Sequence, residues 1–135
     1  MKVQENYFYF GKEPRNATPV IAVVQLDPQL LINGVLMGCL QNEGDVNIVF
    51  TVEKTNDYVA GLWTAINYEH SVAGLLTSVS TFTLVPGGQL DFVMHQLDNT
   101  QPYLHFLQSA ANAHGYLGLF AMRGRMTEMP KPLTY

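Results

Sequence analysis

The stretch VNIVFTVEKTNDYVAGLWTAI, residues 46–66, decides the fold class. Val46, Ile48, Phe50 and Val52 alternate with Asn47, Val49 and Thr51, the period-two pattern of a half-buried strand. The strand runs into the polar pair Asn56-Asp57 and then reaches Trp63, the only tryptophan in the chain. With Leu62 and Ile66 as neighbours, Trp63 is expected to close one end of a β-sandwich beside Phe50 and Tyr103. A helical turn is expected around it, over residues 60–68.

Working outward, other short segments read alike. Val20 to Leu26 is β-branched and apolar, and Val35 to Leu40 follows the turn signal Asn33-Gly34. Ser78 to Val85 stops at Pro86-Gly87-Gly88, and Gln89 to Gln96 follows at once, so the two are expected to form a hairpin. Tyr103 to Leu107 and Tyr116 to Arg123 complete the set. Helix is scarce: Asp27-Pro28 offers an N-cap followed by proline at the first helical position, enough for one turn. Short strands separated by Gly, Pro and Asn turns indicate an all-β sandwich or barrel, and an antiparallel sandwich is expected here. Its body spans residues 19–125. Residues 1–18 and 126–135 are expected to be extended N- and C-terminal arms, the first with the aromatic run Tyr7-Phe8-Tyr9-Phe10, the second with two prolines.

Composition narrows the function. The chain has 135 residues, one domain's worth, and only 13% of them are charged. Between Glu69 and Arg123 the only formal charges are Asp91 and Asp98. A small domain normally covers its surface with charge, so such a chain is expected to bury surface against other chains. The net charge is −4 with scattered basic residues, which argues against direct nucleic-acid binding. Its apolar runs are too short to span a bilayer as a helix, and no leader is expected. Cys39 is single and reads as a small buried hydrophobe.

Catalytic chemistry is not marked. His70, His95, His105 and His114 show no metal-ligand spacing, although His95 and His105 fall on consecutive strand candidates that a ladder would bring face to face. Ser71, Ser78, Ser80 and Ser109 lie outside any nucleophile elbow, and the glycines form no phosphate loop. No catalytic residue, metal or cofactor is expected. Asn16-Ala17-Thr18 matches the glycosylation pattern by chance.

The order of features resembles a known plan. A strand with an Asn/Asp turn precedes Trp63, then come TFTLVPGGQLDF, Tyr103-Leu104-His105-Phe106 and the Gly- and Ala-rich Gly115-Tyr116-Leu117-Gly118-Leu119-Phe120-Ala121. Over residues 19–123 this resembles the jelly-roll cement (decoration) proteins of tailed-bacteriophage capsids, and also carbohydrate-binding modules. The carbohydrate modules often present exposed aromatics with arginine at the loop tips; here His105 stands where the plan's Tyr-Leu-Arg-Phe strand has arginine, and no arginine lies between Arg15 and Arg123. The resemblance implies a non-enzymatic virion structural protein, made in the host cytoplasm and located on the capsid surface. Its partners would be itself, as a homo-oligomer, and the major capsid protein. The alternative is a small carbohydrate- or ligand-binding sandwich. The expected assembly contacts lie in the arms: Tyr7, Phe8, Tyr9, Phe10, Met126, Met129, Pro130, Pro132 and Tyr135.

Overall fold

A computed structural model of the chain describes residues 3–11, 20–95, 97–110 and 113–130. Twelve strands and one short helix lie among them: β1 (Val3–Phe10), β2 (Val20–Leu26), α1 (Pro28–Asn33), β3 (Val35–Asn42), β4 (Ile48–Thr55), β5 (Thr64–Ile66), β6 (Tyr68–Val72), β7 (Leu75–Val79), β8 (Thr81–Leu84), β9 (Gln89–Met94), β10 (Tyr103–Gln108), β11 (Gly115–Met122) and β12 (Met126–Met129). They form two sheets. The first runs β1-β11-β3-β9-β6-β7; the second runs β12-β2-β10-β4-β5, with β8 also on β4. Every pairing is antiparallel. The chain is an all-β antiparallel sandwich, as its strand pattern indicates.

Alternation places the core. Ile48, Phe50 and Val52 of β4 point inward and are fully buried, with Leu104 and Phe106 of β10 from the same sheet. Leu36 and Leu40 of β3, Leu90, Phe92 and Met94 of β9, and Leu117, Leu119 and Ala121 of β11 meet them from the other sheet. Phe50 is the aromatic centre, with ring centroids 5.4 Å from Tyr68, 5.1 Å from Phe92 and 6.3 Å from Phe106. The Tyr68 hydroxyl donates to the Phe50 carbonyl at 2.8 Å, so this large buried side chain carries no orphaned polar atom. Gly38 on β3 faces the Phe92 ring, which occupies the space a side chain would need.

Two polar residues fasten the loops. Asn42 is buried at the end of β3; its side-chain NH₂ donates to the carbonyls of Val46 (2.8 Å) and Leu84 (3.0 Å), and its oxygen accepts from the Gly44 N–H (3.1 Å). Asp27 caps α1 by accepting from the Leu30 N–H at 3.0 Å, with Pro28 at the first helical position as the sequence requires. Its second carboxylate oxygen accepts from the Arg125 N–H at 2.7 Å, tying the helix to the β11–β12 turn. Gly34 then caps the C-terminus of α1.

Several expectations are corrected. Residues 60–68 contain no helical turn; a turn at 58–60 is held by Asp57, which accepts from Val59 and Ala60, and β5 begins at Thr64. Residues 78–85 are not one strand. β7 ends at Val79, the chain crosses sheets at Ser80, and β8 then pairs with β4. β9 pairs with β3 and β6, so the expected hairpin across Pro86-Gly87-Gly88 does not form. The described parts of both terminal segments are sheet strands rather than free arms: β1 pairs along its length with β11, and β12 pairs with β2. The Gln4 side chain links these two edges, donating to the Met126 carbonyl at 2.6 Å and accepting from its N–H at 3.1 Å.

Candidate functional site

Each sheet has an outer face. On the first, the register brings aromatic and small residues into rows. Tyr9 pairs with Tyr116, which pairs with Gln41; Tyr7 pairs with Gly118, which pairs with Cys39; Glu5 pairs with Phe120, which pairs with Met37. Tyr7 packs edge-on against Phe120 at 5.8 Å and lies over Gly118. Tyr9 packs against Tyr116 at 5.0 Å. The three tyrosines remain 65%, 45% and 41% exposed at positions 7, 9 and 116. The outward positions of β1, β11, β3 and β9 carry Glu5 and Asp91 but no lysine or arginine.

Cys39 lies on this outer face, half-buried, rather than in the core. Burial, reinforced by a hydrogen bond to Asp91 and its charge, pushes the thiol up to about 11, so at neutral pH it stays protonated and poorly nucleophilic.

The expected contact residues separate. Tyr7 and Tyr9 face outward, whereas Phe8, Phe10 and Met126 are buried in the chain's own core. Those three are therefore occupied internally: alternation along β1 sends every second ring inward, and Met126 begins β12 opposite the buried Leu26. Met129 is half-buried and Pro130 exposed. Pro132 and Tyr135 lie outside the described residues, as does the Asn16-Ala17-Thr18 triplet. Tyr116, Phe120 and Met37 were missed because their contribution depends on which strands flank β11, and spacing along the chain does not give that.

The outer face of the second sheet holds a different cluster. Trp63, half-buried just ahead of β5, stacks on His105 of β10 with centroids 4.0 Å apart. It does not belong to the core around Phe50. The expected location beside Phe50 is thus corrected to a cover over the sheet's exterior. Tyr58 and Tyr103 pair nearby at 5.3 Å. His105 is 8% exposed, and neither ring nitrogen has a hydrogen-bond partner among the described residues. Glu53 Oε1 stands 3.6 Å from Nδ1, beyond hydrogen-bond range. Burial pushes the imidazole down to about 4, so it is neutral at pH 7, and burial also raises the Glu53 carboxyl.

The two histidines that sequence order placed on neighbouring strands lie apart, since β9 and β10 belong to different sheets. His95 is 3.8 Å from Glu69 and exposed. Among the described residues no group of three or more His, Cys, Asp or Glu side chains is arranged to hold a metal ion. An open cleft of ≈ 410 Å³ lies at the β3 end, lined by Gln41, Asn42, Glu43 and residues 87–89. Among the described residues no helix is long and apolar enough to cross a membrane. Comparison with known proteins found no match among family models, curated proteins or solved structures.

Proposed function

We propose that this protein is a non-catalytic structural subunit that associates with copies of itself and, so assembled, binds and stabilises the shell of a tailed-phage capsid. The observation that carries the reading is the outer face of the first sheet, where Tyr7, Tyr9, Tyr116 and Phe120 form an aromatic surface without a single cation. Solvated faces of small proteins carry charge; this one is built for contact with another apolar surface. A jelly-roll plan is supported by the way β1, β2, β3 and β4, and again β8, β9, β10, β11 and β12, alternate between the two sheets. Repeated placement on a lattice would add avidity to modest single contacts. The test is the mass of the purified protein in solution, alone and after mixing with capsid shells that lack their decoration. Co-sedimentation of an oligomer with shells supports the reading; a monomer that ignores every shell opposes it.

One observation favours a second reading, a small carbohydrate- or ligand-binding module. Trp63, Tyr58 and Tyr103 gather at one end of the second sheet's exterior, beside the Glu53 carboxyl. Aromatic faces next to a hydrogen-bonding group suit a sugar ring. Because Trp63 is the sole tryptophan, a saccharide bound there would change the intrinsic fluorescence directly.

A further inference from the structure

The second apolar feature of this molecule is an edge rather than a face. β6 and β7 form a hairpin turned by Ala73 and Gly74, whose φ angles of 51° and 83° give the tight geometry that matches strand twist. Both faces of β7 are open: Leu75, Leu76, Thr77 and Ser78 are all exposed. β7 ends the first sheet, so among the described residues its far side has no partner strand. Proteins guard such edges with charge, proline, a bulge or brevity. The other edges here are guarded: β1 carries Glu5, β12 carries Glu128 and is followed by Pro130, and β5 and β8 are three and four residues long. β7 is five residues of Leu, Thr, Ser and Val with no charge, no proline and no bulge in its pairing to β6.

We propose that β7 pairs antiparallel with β7 of a second copy, about a twofold axis through Thr77, joining two sandwiches through one continuous sheet. The backbone direction fits. In a two-residue hairpin the flanking pair, Val72 and Leu75, exchanges hydrogen bonds, and the bonding direction alternates from there. Leu75, Thr77 and Val79 therefore face β6, while Leu76 and Ser78 present their N–H and C=O groups to the free edge. Antiparallel self-pairing centred on Thr77 sets Leu76 opposite Ser78 of the other copy, twice, so all four free groups bond. It sets Leu75 opposite Val79, and the two Thr77 side chains opposite each other in a close, non-hydrogen-bonded pair. A twofold contact must be self-complementary, and an uncharged strand of this composition is, since no like charges meet. The contact is separate from the tyrosine-bearing face and does not depend on it.

Charge at the axis tests it. Thr77 is exposed, so Thr77→Lys and Thr77→Glu should fold, which circular dichroism checks. Each alone sets like charges directly opposite one another and should raise the dissociation constant of this contact tenfold or more in sedimentation equilibrium. Mixing the two variants should restore association as a one-to-one heterodimer, visible by native mass spectrometry. Pairing of β7 with a different strand, of this chain or of a capsid protein, predicts no such recovery, and its absence would overturn the proposal. So would unchanged self-association in both single variants, or a wild-type chain that does not self-associate. Loss of association in Tyr7→Ser with indifference to charge at residue 77 would keep the aromatic-face reading and reject this one.

Discussion

His105 is the residue with the clearest unmet chemistry. A buried imidazole whose two nitrogens have no partner among the described residues is costly, and the cost rises when it is charged. The folded chain binds this proton less readily than the unfolded one, where histidine titrates near 6.5. Stability from His105 is therefore full above about pH 6.5 and is lost as pH falls toward its folded value of about 4. The loss is on the order of 3 kcal/mol at most. Burial of Glu53 acts in the opposite sense, since a raised carboxyl pKa favours the folded state at low pH. His105→Phe should thus flatten the fall in denaturation midpoint between pH 6.5 and 4; an unaltered slope would assign acid lability elsewhere. Trp63→Ala should cost about 1–3 kcal/mol, less than a full core deletion because the ring is half-buried. It should also move the His105 titration, followed by NMR, upward toward 6.5 as water reaches the ring. Trp63 could be read as important from its place after a strand and turn. That it covers a histidine could not, because β4, β5 and β10 become neighbours only in the sheet.

At the scale of elements, edges decide what the ends of the chain do. The strand over 48–55, the apolar runs 20–26 and 35–40 and the Asp27-Pro28 cap were legible, because period two and capping chemistry are local. The break at Ser80 and the sheet change after it were not, since the TSVSTFTLV stretch is β-rich throughout and only tertiary pairing divides it. The C-terminal segment misled for a related reason: two prolines signal irregular chain, yet Met126 to Met129 precede both and complete the second sheet. Truncation before Met126 should therefore destabilise the sandwich rather than leave it intact, and Met126→Ala alone should cost about 2–4 kcal/mol by urea denaturation, as buried Met-to-Ala changes do. Wild-type stability in either would place the core elsewhere. Asp27→Ala removes both the α1 cap and the bond from Arg125. It should lower stability by about 1–2 kcal/mol, and hydrogen exchange should quicken first at Leu30 and Arg125.

For the whole molecule, the charge-poor middle of the chain and the exposed tyrosines of β1 converge on one conclusion. The sequence shows that surface is left uncharged; only the ladder from β1 through β11 to β3 gathers Tyr7, Tyr9, Tyr116 and Phe120 on one side of one sheet. The central claim is that this face holds copies of the chain together, and sedimentation equilibrium of wild type beside the Tyr7→Ser, Tyr9→Ser double variant tests it most directly. Both tyrosines are exposed, so the variant should keep the wild-type circular dichroism. The account predicts that wild type sediments as a multiple of 15.1 kDa and that the double variant forms a smaller species at the same concentration. A wild-type chain that remains at 15.1 kDa at every concentration, or a folded double variant of unchanged mass, would contradict it.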